Sequence, residues 1–137
     1  MKATRIDHVA IAVPDLEAAV ATYHKNFGLT KISGGDVPSL GIRNAFLQIG
    51  EAQIELITPL TEQGPVAEFL ARRGGGMYLL SLEVDNLDEA IATLQQNGVR
   101  VNISTGSGDR RLAFVSPKAT HGVLLQLLER PGPATRA

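Results

Sequence analysis

The stretch Ile6-Asp7-His8-Val9-Ala10-Ile11-Ala12-Val13 returns 71 positions later as Met77-Tyr78-Leu79-Leu80-Ser81-Leu82-Glu83-Val84. Apolar residues alternate with small or polar ones, which is the period of a strand. In the first copy Ile6, His8, Ala10 and Ala12 share one face and Val9, Ile11 and Val13 the other, so a strand over Arg5 to Val13 is expected to be buried on both sides. The segments after each copy repeat as well. Asp15-Leu16-Glu17 falls on Asn86-Leu87-Asp88, and Ala19-Val20-Ala21-Thr22 falls on Ala90-Ile91-Ala92-Thr93. Asn44-Ala45-Phe46-Leu47 meets Leu112-Ala113-Phe114-Val115 at a shift of 68, and Ile54-Glu55-Leu56 meets Leu125-Gln126-Leu127 at 71 again. The three-residue difference is absorbed in the longer turn Pro117 to Gly122. Matched segments in one order mark an internal duplication.

Punctuation fixes the elements between these segments. Pro14 ends the first strand, Asp15 is a natural N-cap, and Leu16, Ala19, Val20 and Tyr23 form a helical stripe that stops at Gly28. Ser33-Gly34-Gly35-Asp36 reads as a turn cluster. Strands are expected at Arg43 to Ile49 and Ala52 to Ile57, joined at Gly50-Glu51. Pro65 to Arg73 reads as a short amphipathic helix with Pro at its start and Gly74-Gly75-Gly76 after it. A strand at Met77 to Val84, a helix at Asn86 to Gln96 and strands near 99–103, 111–115 and 123–128 complete the second copy. The fold class is therefore α+β: two βαβββ repeats, each too small to be stable alone, whose curved mixed sheets must pair. Residues 1–137 form one domain, with repeats at 5–59 and 77–129, a linker at 60–76 carrying the short helix, and a flexible tail at 130–137.

Composition narrows the partners. At 137 residues the chain needs no staple, and its 44% hydrophobic content excludes disorder. Thirteen Lys and Arg against fourteen Asp and Glu leave no basic stripe for nucleic acid. No apolar run is long enough to span a bilayer, and the start carries no signal-peptide pattern. Zero cysteines exclude disulfides and thiolate chemistry and are compatible with the cytoplasm, where the protein is expected to reside.

A paired curved sheet built from two repeats has a concave surface on its symmetry axis, and polar residues at inward strand positions point there. These are His8 and Glu55 from the first repeat, with Leu79 and Gln126 as their repeat equivalents. Two readings of His8 and Glu55 stand side by side. One is a hydrogen-bonded dyad in which Glu55 orients the ring and leaves its other nitrogen for acid or base work. The other is a purely structural polar cluster. His24 and His121 read as surface residues, Tyr78 as packing or interface, and Gly74-Gly75-Gly76 as a linker rather than a phosphate loop, since no Lys-Ser or Lys-Thr follows it.

The segments Asp7 to Leu16, Ile54 to Pro59, Pro65 to Leu70, Gly76-Met77, Glu83-Val84-Asp85, Ala113 to Lys118 and Gly122 to Leu127 resemble methylmalonyl-CoA epimerase, a member of the vicinal oxygen chelate superfamily that also holds glyoxalase I and bleomycin-resistance proteins. The resemblance covers residues 5 to 129. It implies a divalent metal (Co²⁺, Mn²⁺, Zn²⁺ or Ni²⁺) held by two histidines and two carboxylate or amide side chains, and glutamates that move the proton next to a thioester. His8 and Glu55 fall on two ligand positions. Leu79 stands where the family has its second histidine, Gln126 where it has a ligand glutamate, and Ser39 where it has a further catalytic glutamate. If metal is retained, His8, Glu55 and Gln126 are its ligands; the departures predict that it is bound weakly or not at all. Lys118, Arg110 and Arg111 are candidates for acyl-CoA phosphates or an ordinary charged rim.

The resulting expectation is an isomerase, epimerase or lyase that transfers a proton next to the carbonyl of a small carbonyl or acyl-CoA ligand. His8, Glu55 and Gln126 are the catalytic candidates, and Leu79, Ser39 and Lys118 the ligand-binding ones. The alternatives are a non-catalytic binder of a drug or metabolite and a metal-independent cyclase or hydrolase. Sheet edges and the family habit together predict a homodimer.

Overall fold

A computed structural model describes residues 1–106, 108 and 110–129. The elements run β1 (Ala3–Ala12), α1 (Leu16–Phe27), β2 (Lys31–Val37), β3 (Ile42–Ile49), β4 (Ala52–Pro59), α2 (Pro65–Arg73), β5 (Gly76–Val84), α3 (Leu87–Gln96), β6 (Val101–Thr105), β7 (Arg111–Val115) and β8 (Leu125–Glu129). This is the α+β order of two βαβββ repeats. Contacts gather the chain into two compact units. One is Asp7–Leu79, and the other joins Met1–Ile6 to the described residues from Leu80 onward. The expected linker at 60–76, α2 included, falls within the first unit, and the tail at 130–137 lies outside the described residues.

In the first repeat the strands lie in the order β2-β3-β4-β1, with β1 parallel to β4 and the other pairs antiparallel. In the second the order is β5-β8-β7-β6, with β5 parallel to β8 and the other pairs antiparallel. The registers turn the sequence repeat into a structural one. Ala10 lies opposite Glu55 and Ser81 opposite Gln126, which is the shift of 71. Phe46 lies opposite Glu55 and Phe114 opposite Gln126, which is the shift of 68.

The helix caps repeat too. Asp15 Oδ1 accepts the N–H of Ala18 at 3.1 Å, and Asn86 Oδ1 accepts that of Glu89 at 3.0 Å. Gly28 ends α1 at φ 70°, a left-handed position that glycine adopts without a Cβ clash. The two helices differ in what they bury. Leu87, Ala90 and Ile91 of α3 join Val84, Ala113, Val115 and Leu127 in a core, whereas α1 leaves every residue at least partly exposed.

Several expectations need correction. Ser33-Gly34-Gly35-Asp36 is not a turn but the middle of β2, paired residue by residue with β3. A Cβ on Gly34 would stand 2.3 Å from the Asn44 carbonyl oxygen, so the glycine marks a close backbone approach and not a reversal. In β1, His8, Ala10 and Ala12 are buried as expected, but Val9 and Ile11 are only half-buried and Ile6 is exposed. The strands expected near 99 and 123 begin at Val101 and Leu125. Among the described residues no helix is long and apolar enough to cross a membrane.

Candidate active site

The alternation of β1 places His8 on its buried face, two residues from Ala10. Ala10 lies opposite Glu55, so Glu55 reaches diagonally to His8 over a residue too small to obstruct it. On the other side of β4, Phe46 faces Glu55 directly, and Asn44 lies two residues further along the same face of β3. Four side chains thus converge in the first unit. His8, Asn44 and Glu55 are buried, and the Phe46 ring meets the His8 ring edge-on at 5.7 Å.

The polar contacts form one line. Asp7 Oδ2 receives the Nδ1–H of His8 at 2.8 Å. His8 Nε2 lies 3.2 Å from Glu55 Oε1, close enough for an ion pair but without the alignment of a hydrogen bond. Glu55 Oε2 accepts from Asn44 Nδ2 at 2.8 Å, and Asn44 Oδ1 accepts from the Gly35 N–H at 3.2 Å. Burial, the largest influence on His8, favours the neutral ring. The contacts to Asp7 and Glu55 outweigh it and raise the pKa to about 9, which makes the ring an imidazolium at neutral pH.

Against the sequence reading, His8 and Glu55 come together as expected, but the orienting group is different. Asp7, not Glu55, holds the ring through Nδ1, and Glu55 sits beside Nε2 without accepting an aligned hydrogen bond from it. Strand alternation hides this, because neighbours point to opposite faces, yet Asp7 curls back to its own neighbour. The adjacent Asp-His pair was the available signal. Asn44 was also missed. Its sequence signal is a lone amide in an apolar strand, where a buried polar group must find a partner.

The other candidates are dispersed. In the second unit Gln126 is buried, and its Oε1 accepts the Ser81 hydroxyl at 2.8 Å. Leu79 is buried in β5. Ser39 is exposed in a single 3₁₀ turn at Pro38–Leu40, and Lys118 is exposed in another at Pro117–Ala119. Arg111 is committed to Asp88 at 2.7 Å and Arg110 to the Glu129 carbonyl at 2.9 Å. His24 is exposed, its Nδ1–H donating to the Leu29 carbonyl. His121 is exposed at φ 59°, and Tyr78 packs edge-on against Phe69 at 5.2 Å.

The donor set can be tested against the metal that the resemblance implies. His8 Nε2 and Glu55 Oε1, 3.2 Å apart, are spaced like neighbouring ligands of one ion. The set stops there. Among the described residues no group of three or more His, Cys, Asp or Glu side chains is placed to hold a metal. Leu79 offers no donor, and the Gln126 oxygen is taken by Ser81. The residues present do not fit a site of two histidines and two carboxylates.

Comparison with known proteins agrees with the duplicated fold. Residues 7–114 match the model of the glyoxalase/bleomycin resistance protein/dioxygenase superfamily. The chain is 37% identical over 131 residues to ethylmalonyl-CoA/methylmalonyl-CoA epimerase of Cereibacter sphaeroides, covering 90% of this chain and 96% of that protein. It is 35% identical over 127 residues to human mitochondrial methylmalonyl-CoA epimerase, covering 90% of this chain and 72% of that protein. The solved structure of methylmalonyl-CoA epimerase from Mycobacterium tuberculosis superposes with a TM-score of 0.89 at 36% identity, over 98% of this chain and 93% of that one. The Streptomyces coelicolor epimerase bound to 2-nitronate-propionyl-CoA superposes with a TM-score of 0.89 at 31% identity, over 96% of this chain and 100% of that one. With its βαβββ duplication, the buried His8–Glu55 pair of its first repeat and these matches, the chain belongs to the glyoxalase/bleomycin resistance protein/dioxygenase superfamily and resembles its methylmalonyl-CoA epimerases.

Proposed function

We propose that this protein transfers a proton at the carbon next to the thioester carbonyl of a small acyl-CoA such as methylmalonyl-CoA, without dependence on a tightly held metal. The observation that carries this is the geometry of the His8–Glu55 pair: a buried imidazole ring whose Nε2 has no aligned partner, 3.2 Å from a carboxylate oxygen. In this reading Glu55 Oε1 takes the α-proton. The Nε2–H of His8 faces the carbonyl oxygen as negative charge develops there, supplying the electrostatic stabilisation otherwise expected of a Lewis acid. Asp7 holds the ring by Nδ1 and offsets its charge. In the second repeat Gln126 Oε1 accepts the Ser81 hydroxyl, and the Gln126 amide NH₂ is a separate candidate hydrogen-bond donor to a ligand. Lys118, exposed on its turn, is the candidate for a CoA phosphate, since Arg110 and Arg111 have other partners; Ser39 is a candidate ligand contact in the first unit.

The test is exchange of the α-hydrogen of methylmalonyl-CoA in D₂O, followed by NMR after treatment with chelator. Exchange that persists in chelated protein and falls by about 10²-fold or more in His8→Ala and in Glu55→Gln supports the proposal. Exchange that requires added Co²⁺ or Mn²⁺ overturns the metal-independent part. Tight binding of acyl-CoA with no exchange would sink the catalytic part and leave a binding protein.

The homodimer expectation belongs here too. The edge strands β2 and β6 carry exposed Ile32 and Ile103, the kind of surface that a second copy covers. A monomeric mass by light scattering at micromolar concentration would contradict it. Cytoplasmic residence, proposed on the cysteine-free composition, is checked by fractionation of cells.

A further inference from the structure

The carboxylate of Glu55 has two oxygens with different surroundings, and the difference is built by residues outside the pair. Asn44 Nδ2 donates to Oε2 at 2.8 Å, while Oε1 is the oxygen beside His8 Nε2. An amide side chain can turn end for end, so something must decide which end faces the carboxylate. Here Asn44 Oδ1 accepts the backbone N–H of Gly35, which directs the NH₂ towards Glu55. That backbone donor is in reach because β2 lies against β3 at Gly34, where a Cβ would stand 2.3 Å from the Asn44 carbonyl oxygen and 2.9 Å from Ala45 Cα. The repeat offers a control within the same chain. The equivalent of Asn44 is the buried apolar Leu112, and the acceptor oxygen of Gln126 is satisfied from β5 by Ser81. A polar residue at position 44 is therefore not required by the fold.

We infer that Asn44 is a positioning residue that commits Glu55 Oε2 and leaves Oε1 as the single working oxygen beside His8, with the Gly34-Gly35 backbone of β2 fixing the orientation of its amide. Its functional meaning rests on the proton-transfer reading, but its geometry does not. With Oε2 held by Asn44, rotation of the carboxylate costs a hydrogen bond, so the direction in which Oε1 meets a reacting hydrogen is favoured before substrate binds. The pair itself is affected as well. Releasing Oε2 lets the carboxylate turn and changes the electrostatic environment of the His8 ring, although Asn44 makes no polar contact with that ring.

The experiment uses chelated, ¹⁵N-labelled full-length protein at one fixed pH and compares wild type with Asn44→Leu, the residue type that the second repeat carries. The imidazole ¹⁵N resonances of His8 and the kinetics of α-hydrogen exchange are both read. The inference expects a displaced Nε2 resonance in Asn44→Leu, a backbone amide spectrum unchanged away from β3 and β4, and kcat lower by about 10- to 100-fold with KM within about threefold. Combining Asn44→Leu with Glu55→Gln should add almost nothing to Glu55→Gln alone, because Asn44 acts only through that carboxylate. Should Leu at 44 prevent folding, Asn44→Ser, smaller and too short to reach Oε2, gives the same readings. A folded variant with the wild-type Nε2 resonance, or independent losses in the double mutant, overturns the inference. If no variant and no wild type exchanges the α-hydrogen, the proton-transfer reading fails, but the resonance still decides the role of Asn44.

Discussion

The two repeats use one scaffold for different ends. In the first, four positions of the sheet hold His8, Ala10, Asn44 and Glu55; their equivalents in the second are Leu79, Ser81, Leu112 and Gln126. The first set assembles into a polar line that runs from Asp7 through buried His8, Glu55 and Asn44 to the Gly35 N–H. The second reduces to one neutral hydrogen bond between Ser81 and Gln126. The helices divide in the opposite sense, since α3 contributes three buried residues to a core and α1 contributes none. The first repeat holds the His8–Glu55 pair, and the second has the better-packed helix, although it too buries a carboxylate, Glu83.

This contrast is sharpest in turnover, where the largest effect is expected. Glu55→Gln should reduce α-hydrogen exchange on the order of 10²- to 10⁴-fold, the range for a lost general base. Gln126→Leu removes only a neutral donor and should cost about tenfold or less. Equal losses would mean that the second repeat shares the acid–base chemistry. Packing comes next. Leu87 is 1% exposed and its repeat mate Leu16 is half-buried. Leu87→Ala should therefore cost about 2–5 kcal/mol and Leu16→Ala about 1 kcal/mol, read as urea midpoints. A reversed order would break the division of labour between the helices.

A smaller effect probes the polar pair of the second repeat. Ser81→Ala copies Ala10 and leaves the buried Gln126 oxygen without its donor, for a cost of about 1–3 kcal/mol. Adding Gln126→Leu removes the orphaned acceptor and should recover much of that loss, as a thermal melt of both variants would show. Full stability in Ser81→Ala alone would mean that the hydrogen bond contributes nothing. The smallest effect concerns the caps. Asp15→Ala and Asn86→Ala should each cost about 1 kcal/mol. The Asn86 change should bear more on the core, because Leu87, the next residue, is fully packed, and hydrogen exchange of the α3 amides would detect it.

Much of this arrangement is legible in the sequence, for specific reasons. The strand period and the shift of 71 identify β1 with β5 and Glu55 with Gln126, because a pleated strand places side chains by parity and a duplicated strand preserves that parity. Asp15 and Asn86 are readable as equivalent caps, since capping is a local affair of three residues. The errors have an equally physical origin. Gly34-Gly35 reads like a turn because glycine permits turns, but it also permits close approach, and only the neighbouring strand decides which use it serves. Asp7 escapes notice because strand alternation sends it to the other face, and a side chain can still fold back on its neighbour. Asn44 marks the repeat in the sequence without disclosing any chemistry, since nothing within its own strand reveals that Glu55 lies across the sheet within hydrogen-bond reach.

Local periodicity and covalent spacing are enough to set the duplicated βαβββ order, the strand parity and the residue types at the repeat-related positions. The tertiary structure alone decided the partners: that Asp7 holds Nδ1 of His8, that Glu55 stands at Nε2, and that Asn44 takes one carboxylate oxygen while Ser81 takes the amide oxygen of Gln126. Those choices depend on strand register and on separations of a few tenths of an ångström. Hydrogen bonds are made or lost over that same distance, whereas periodicity carries no information about it.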